Sequence, residues 1–206
     1  MREAEPGRFT RRTVDLLSRG DEATLVVFGD SISAGFAVGH GFDHFLREML
    51  TAKYPQALIH MINSGVCGDT SLDGLDRLDW SVISYLPDLV TINFGINDMY
   101  WGIGLGEFKS NLVAVTERII DGCQSEILLL SSEPLVTPHY CHEVQSYYGV
   151  VQDVAEEMDV GFVDVYRAWM RRVDCGVALE SLILPGLDHP NEEGYRIIAE
   201  ELMRFF

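Results

Sequence analysis

Basic residues are scarce in this chain of 206 residues, in which 15 Lys and Arg stand against 32 Asp and Glu. The formal net charge is −17. Nucleic acids and anionic membrane surfaces are bound by clustered Lys and Arg, so neither is an expected partner. No run of the sequence approaches the roughly 18 apolar residues of a membrane-spanning helix. We therefore expect no nucleic-acid binding and no stable membrane insertion.

Cysteine is also sparse and is never arranged as a metal ligand set. No C-x-x-C pair or nucleotide-binding fingerprint occurs, so we expect no metal and no cofactor. The charged segment 1–9 has no apolar core typical of a secretory signal. These features predict reduced thiols in a cytoplasmic protein. The four cysteines are Cys67, Cys123, Cys141 and Cys175.

The composition is otherwise that of a folded domain, with 47 % hydrophobic and 23 % charged residues. The length suits one domain over residues 1–206, with 1–22 as an N-terminal extension of uncertain structure. Five short apolar runs, with helical spacing between them, predict a three-layer α/β/α fold. Its doubly wound, flavodoxin-like sheet would have five parallel strands. The runs are 23–28, 57–62, 89–94, 127–130 and 160–165.

The helical segments follow the apolar runs in turn. The clearest has apolar residues at three- and four-residue steps from Tyr140 to Met158. A last helix is expected to begin after Asn191, a good N-cap residue. The other helical segments are 41–54, 72–78 and 108–120.

Four polar blocks lie where a parallel sheet binds its ligands, at the carboxyl ends of its strands. They are Gly-Asp-Ser at Ser31, a glycine-rich loop at Gly68, Gly-Ile-Asn-Asp at Asn97 and His-Pro-Asn at His189. Each block alone has an ordinary explanation: a phosphate-binding turn, a tight turn, an Asx turn and a surface histidine, respectively. The order of the four blocks along the chain and their shared position at strand ends are a more specific signal than any single block.

Together the blocks resemble the SGNH hydrolase superfamily, also called GDSL lipases and esterases, from Val27 to Tyr195. The resemblance implies that Ser31 is the nucleophile and His189 the general base. It implies an oxyanion hole made by the backbone N–H groups of Ser31 and Gly68 and the side-chain amide of Asn97. A serine needs such a base, and a tetrahedral intermediate needs such donors.

The sequence departs from the family at the third catalytic position. The family usually has an Asp three residues before the histidine, where this chain has Gly186. Asp188 is the acid of this block, and we expect it to orient His189. Side chains of adjacent extended residues point to opposite sides, so a carbonyl near Gly186, a carboxylate such as Asp174 or Glu180, or no acid at all are the alternatives.

Other residues near the blocks have less specific expected roles. Tyr100, Trp101 and Ile103 are candidates for a substrate pocket, or for a loop packed on the domain. Segment 36–41 is a candidate for the opposite wall. Segment 175–187 is a candidate lid or interface. Two further acids, Asp30 and Asp98, are expected to hold their loops through backbone N–H groups.

These observations predict an esterase that cleaves small or medium acyl esters through a Ser31 acyl-enzyme. The alternatives are a carbohydrate O-deacetylase of the same superfamily, a non-catalytic binding module on the same fold, and, less well supported, a flavin- or phosphate-binding protein. The expected partner is a small ester, and the oligomeric state is left open. The acidic net charge is expected to raise the pKa of His189.

Overall fold

A computed structural model describes residues 7–206 of the protein. In this part of the chain, five strands form one parallel sheet in the order β2-β1-β3-β4-β5. This order confirms the flavodoxin-like, doubly wound α/β fold expected from the sequence. The strands are β1 (Glu22–Gly29), β2 (Leu58–Gly65), β3 (Leu89–Asn93), β4 (Glu126–Leu130) and β5 (Gly161–Val163).

Helices cover both faces of the sheet. Helices α3, α8 and α9 pack together, and α4, α6 and α7 form a second group. Right-handed crossovers between parallel strands place the two groups on opposite faces. Over the described residues the helices are α1 (Arg11–Arg19), α2 (Ser31–Ala34), α3 (Phe42–Lys53), α4 (Ser71–Ser81), α5 (Ile96–Tyr100), α6 (Leu105–Cys123), α7 (Glu143–Glu157), α8 (Val165–Asp174) and α9 (Glu192–Leu202).

The core explains why four of the strands are mostly apolar. Strands β1, β3, β4 and β5 are largely buried, because both of their faces carry helices. The edge strand β2 differs, since its residues are partly or fully exposed. Strand β2 is thus a partly exposed edge of the sheet.

The N-terminal extension 1–22 includes a helix that was not foreseen. Helix α1 buries Thr13 and Leu17 against the domain and ends at Gly20. Residues 1–6 lie outside the described residues, so the structure does not bear on the expectation that segment 1–9 is not a secretory signal. Among the helices of residues 7–206, none has both the length and the apolar character needed to cross a membrane.

The strand register brings three loops to one place. Gly29 at the end of β1 is opposite Gly65 of β2 and opposite Asn93 of β3. Strand order reverses between β1 and β3, so a crevice opens at the carboxyl ends of these strands. The blocks that follow β1, β2 and β3 therefore leave the sheet side by side.

Candidate active site

Ser31 is presented by a tight turn at the end of β1. It is the first residue of α2, and the Asp30 side chain caps this short helix by accepting the N–H of Ile32 at 2.9 Å. Gly29 has no room for a side chain, because a Cβ there would lie 2.3 Å from the Asn93 carbonyl oxygen. Close contact between β1 and β3 thus fixes the direction in which the chain reaches Ser31.

His189 meets Ser31 from a distant part of the chain. Ser31 Oγ and His189 Nε2 are 2.9 Å apart. The histidine is held by its carbonyl, which accepts the N–H of Leu184 at 2.8 Å, and by its ring, 4.9 Å from that of Phe36. The structure thus joins these two expected site residues in the geometry of a nucleophile and its base.

The electrostatics of His189 differ from the expectation based on net charge. Burial lowers the pKa of the imidazole below its ordinary 6.5, and the nearby Asp188 carboxylate opposes this effect without reversing it. The expected rise is wrong, because loss of hydration acts directly on the ring, whereas distant surface charges are screened. A neutral imidazole, which a general base requires, is therefore favoured at neutral pH.

Gly68 and Asn97 approach the same space from β2 and β3. Gly68 is exposed and has φ +89°, a left-handed conformation that favours glycine. Asn97, near the start of α5, donates one N–H of its amide to the Asp69 carbonyl at 2.9 Å. Its second amide N–H is left to serve a ligand.

Arg77 links these loops through hydrogen bonds, and this role was not predicted from the sequence. Its Nε donates to the Asp69 carboxylate at 2.6 Å and its Nη2 to the Gly29 carbonyl at 3.0 Å. The guanidinium also lies 4.5 Å from the centre of the Phe28 ring. One buried side chain on α4 thereby links the end of β1 to the glycine-rich loop. Its only sequence signal is an arginine eight residues after Asp69.

Asp30 and Asp98 hold backbone, as expected. Asp98 accepts the N–H of Ser71 at 3.1 and 3.2 Å, which joins α5 to the start of α4. The hydroxyl of Ser71 in turn accepts an amide N–H of Asn111 at 3.0 Å. Asp30 is almost inaccessible to solvent, and burial raises its pKa to about 7.

Asp188 is not bonded to the imidazole in this structure. Its carboxylate accepts the N–H of Val136 at 3.0 Å, the hydroxyl of Thr137 and, at 3.4 Å, that of Tyr100. Nδ1 of His189 is buried and has no hydrogen-bond partner among residues 7–206. The expected Asp188–His189 bond is therefore absent, since adjacent side chains diverge and Asp188 is directed to the loop after β4.

The absence of a partner for Nδ1 of His189 among residues 7–206 also concerns the other groups considered for orienting the imidazole. A carbonyl near Gly186, Asp174 and Glu180 would each need to accept a hydrogen bond from Nδ1. None does so in the part of the chain that the structure describes.

Glu133 is a second residue that sequence reasoning missed. It is fully buried just after β4, and the hydroxyl of Ser132 donates to its Oε2. Burial raises the pKa of this carboxyl to about 8, and the Asp30 and Asp188 carboxylates add to the rise. A signal was present, because Ser-Ser-Glu-Pro directly follows the fourth apolar run. The carboxyl end of that strand lies at the same sheet edge as the other blocks.

A cavity of about 210 Å³ opens onto the paired serine and histidine. Its walls include Asn97, Tyr100 and Leu187. Two of the expected pocket residues lie elsewhere. Trp101 is 75 % exposed on the rim, and Ile103 packs against the core while its carbonyl accepts the hydroxyl of Tyr147 at 2.6 Å. Neither contributes to this cavity, because α5 ends at Tyr100 and the chain then turns away.

Segment 175–187 forms the wall of a second cavity, of about 300 Å³. The two cavities share residues 186–188. Within the segment, Leu182 and Ile183 are buried in the core.

Of segment 36–41, Phe36 lies against His189, whereas His40 pairs with Glu192 at 3.3 Å. No cluster of three or more His, Cys, Asp or Glu suited to a metal ion occurs within residues 7–206.

With this geometry, residues 27–197 match the model of the GDSL-like Lipase/Acylhydrolase family. The chain belongs to this family. The resemblance to SGNH hydrolases is thereby confirmed, and the protein is a carboxylic ester hydrolase of the GDSL type.

Its relatives include several esterases. An acetylxylan esterase of Geobacillus stearothermophilus is 29 % identical over 90 % of this chain and 94 % of its own length. Esterase TesA of Pseudomonas aeruginosa is 30 % identical over 62 % of this chain and 64 % of its own length. The crystal structure of the acetylxylan esterase, Axe2, has a TM-score of 0.76 at 26 % identity, covering 89 % of this chain and 93 % of its own.

Structures of Axe2 also include catalytic mutants in which a serine, an aspartate or a histidine is replaced by alanine. The aspartate and the histidine so replaced are three positions apart in that enzyme. The same spacing before His189 falls on Gly186 in this chain. This family member therefore departs from its relative on the histidine side of the site.

Proposed function

We propose that the protein is a serine esterase that removes short acyl groups from neutral esters, with Ser31 as nucleophile and His189 as general base. The observation that carries the proposal is the 2.9 Å contact between Ser31 Oγ and His189 Nε2, beside the Asn97 amide. A serine hydroxyl is a weak nucleophile, and a neutral imidazole at this distance is able to take its proton.

The reaction follows from the positions of these groups. Ser31 Oγ attacks the ester carbonyl while Nε2 of His189 takes the hydroxyl proton. The backbone N–H groups of Ser31 and Gly68 and the free amide N–H of Asn97 stabilise the resulting oxyanion. When the intermediate collapses, the imidazolium gives its proton to the departing alcohol, which leaves an acyl-enzyme. Water then repeats the attack with His189 as base and releases the acid.

The size of the cavity supports a short acyl group. At about 210 Å³ it is smaller than the roughly 300–1,000 Å³ typical of pockets for drug-sized ligands. The net charge of −17 disfavours anionic esters at the same site. Neutral esters with short acyl chains therefore fit the site best.

A carbohydrate O-deacetylase is the second candidate. The relative that aligns with 90 % of the chain is an acetylxylan esterase. Tyr100 lines the cavity and is partly exposed, and the adjacent Trp101 adds exposed aromatic surface outside it. Such surface suits an alcohol larger than the acyl group, and a sugar ring is one such alcohol.

A cytoplasmic location and a single domain over 1–206 belong to the same proposal. All four cysteines are free thiols, as is usual in a reducing compartment. The expected partner is the small ester substrate.

A fluorophosphonate probe, followed by peptide mass spectrometry, tests the proposal. We expect one adduct, on Ser31, and none in Ser31→Ala. No adduct on folded wild-type protein would contradict the hydrolase and favour a binding module. For the substrate, p-nitrophenyl esters of increasing chain length are compared with acetylated xylo-oligosaccharides. A preference for chains beyond butyrate would count against the deacetylase.

A further inference from the structure

Beneath the site lies a cluster of buried polar groups that the proposed reaction does not use. Glu133 is fully buried at its centre. The Asp30 and Asp188 carboxylates are near enough to raise its pKa, and its own charge acts in turn on the hydroxyl of Tyr195. Asp30 precedes the nucleophile, Asp188 precedes His189, and Tyr195 lies on α9. The carboxyl group is thus close to residues before α2, before α9 and on α9, two of which adjoin Ser31 and His189.

The loop after β4 brings Glu133 to the histidine side of the site. Val136 and Thr137 donate hydrogen bonds to Asp188, so the segment that begins at Glu133 is tied to the residue before His189. On its other side, the hydroxyl of Tyr148 donates to the Glu133 carbonyl at 2.8 Å. These bonds fix the backbone, and with Ser132 bonded to Oε2 they leave Oε1 of the carboxyl group without a partner among residues 7–206.

Three buried polar atoms of this cluster lack partners among residues 7–206: Nδ1 of His189, Oε1 of Glu133 and the hydroxyl of Tyr195. When Nε2 of His189 acts as a base, Nδ1 carries the proton and is a donor. Oε1 is an acceptor, and a hydroxyl can be either. Unsatisfied buried groups are costly, and a buried water typically makes about three hydrogen bonds to such groups.

We propose that Glu133 is the acid that positions His189, acting on Nδ1 through one buried water held by Glu133, His189 and Tyr195. Glu133 thereby replaces the aspartate that relatives have where this chain has Gly186. The inference rests on the proposed esterase function. Through this bridge Glu133 fixes the tautomer with the proton on Nδ1 and stabilises the imidazolium formed during attack.

The buried position also predicts a distinct pH dependence. The carboxyl is faced by Asp30 before α2, Tyr100 of α5, Tyr148 of α7, Asp188 before α9, and Tyr195 of α9. Since burial and the two carboxylates raise its pKa to about 8, Glu133 ionises in mildly alkaline solution. Its negative charge then strengthens His189 as a base, so kcat/KM should rise through this range.

The test is Glu133→Gln, which keeps the shape of the side chain and removes its charge. Glu126→Gln is the matched control, because Glu126 lies at the other end of β4 and accepts bonds from Arg12 and Thr13. Above pH 8, where Glu133 is ionised, we expect kcat to fall by about 10²- to 10⁴-fold in Glu133→Gln, with KM little changed. Glu126→Gln should retain wild-type kcat. A loss under tenfold in folded Glu133→Gln would overturn the proposal.

Two readouts separate positioning from a merely structural role. The alkaline rise in kcat/KM should disappear in Glu133→Gln, and its persistence would overturn the proposal. In the wild-type protein, NMR should find the Nδ1 proton of His189 slow to exchange and shifted as Glu133 titrates. An Nδ1 proton insensitive to that titration would also overturn it, and this measurement needs no variant that folds. Failure of the esterase function itself would instead appear as absence of the Ser31 adduct in wild-type protein.

Discussion

The two sides of the candidate active site are built in different ways. On the oxyanion side, the loops after β1, β2 and β3 are joined by the contacts of Arg77 and by the Asn97–Asp69 bond. On the histidine side, Nδ1 of His189 and Oε1 of Glu133 are buried without partners among the described residues. The oxyanion side follows the family blocks, and the histidine side departs from them at Gly186.

This difference reflects how the two sides are held. The proposed oxyanion donors follow neighbouring strands whose register is set by the sheet, so short blocks at strand ends suffice to position them. The histidine is fixed by a loop that packs against residues from β4 and α9. On the histidine side, the acid that orients the imidazole is able to come from any element that reaches the ring. Its buried charge needs a partner, because an unpaired buried charge is costly. Substitution of one acid by another is therefore easier on this side.

The largest effect is expected from Arg77→Met, which breaks the oxyanion side. Arg77 and Asp69 form an ion pair whose side chains are only 9 % and 14 % exposed. Removal of one partner from a buried pair leaves an unpaired charge and costs about 3–5 kcal/mol. Chemical denaturation should show this loss in the free energy of unfolding. The control Arg19→Met breaks an exposed pair with Asp21 and should cost less than about 1 kcal/mol. Equal losses in the free energy of unfolding for Arg77→Met and Arg19→Met would contradict the expected difference between the buried and the exposed ion pair.

Asn97→Ala should act on the same side with a smaller effect, on catalysis. Loss of one oxyanion donor typically lowers kcat by about 10²- to 10³-fold, or roughly 2.7–4 kcal/mol. KM should change little, because the donor serves the transition state more than the bound ester. Steady-state kinetics on p-nitrophenyl acetate measure both constants. A kcat within threefold of wild type would contradict the role of Asn97 as an oxyanion donor. Its only remaining role would be the bond to the Asp69 carbonyl.

The fold and the family could be predicted from the sequence, because the apolar runs mark the strands and the four blocks lie at strand ends. The roles of Ser31, Gly68, Asn97 and His189 follow from the resemblance to the family and stay predictions, although the contact between Ser31 and His189 is present. The short helices α2 and α5 were not foreseen, since they follow from the close packing of strand ends.

Arg77 and Glu133 escaped notice for a related reason. The contacts of both residues are tertiary: an arginine on a helix has no distinctive spacing, and the position of Glu133 after the fourth apolar run gives its place at the sheet edge but not its burial. Asp188 is predicted to orient His189 because it is the acid of the His189 block, but its position directly before the histidine directs its side chain elsewhere.

The pH dependence of kcat/KM examines the histidine side without a mutation. His189 must be neutral to accept the proton of Ser31, so activity falls as pH drops through the pKa of the imidazole. Burial lowers this pKa, so the step in kcat/KM that belongs to His189 should lie below pH 6.5, separate from the alkaline rise expected from Glu133. A His189 step above 6.5 would mean that the acidic surface of the protein, with its net charge of −17, outweighs burial.

The smallest effect is expected from Asp188→Asn. The carboxylate bonds to Val136, Thr137 and Tyr100, and an amide oxygen is still able to accept the Val136 N–H. We expect kcat to fall less than tenfold. Since the Asp188 charge raises the pKa of His189, its loss should also move the acid limb to lower pH. A loss approaching 10⁴-fold would instead make Asp188 the acid of the triad. Measured beside Glu133→Gln, this variant decides which of the two carboxylates the histidine depends on.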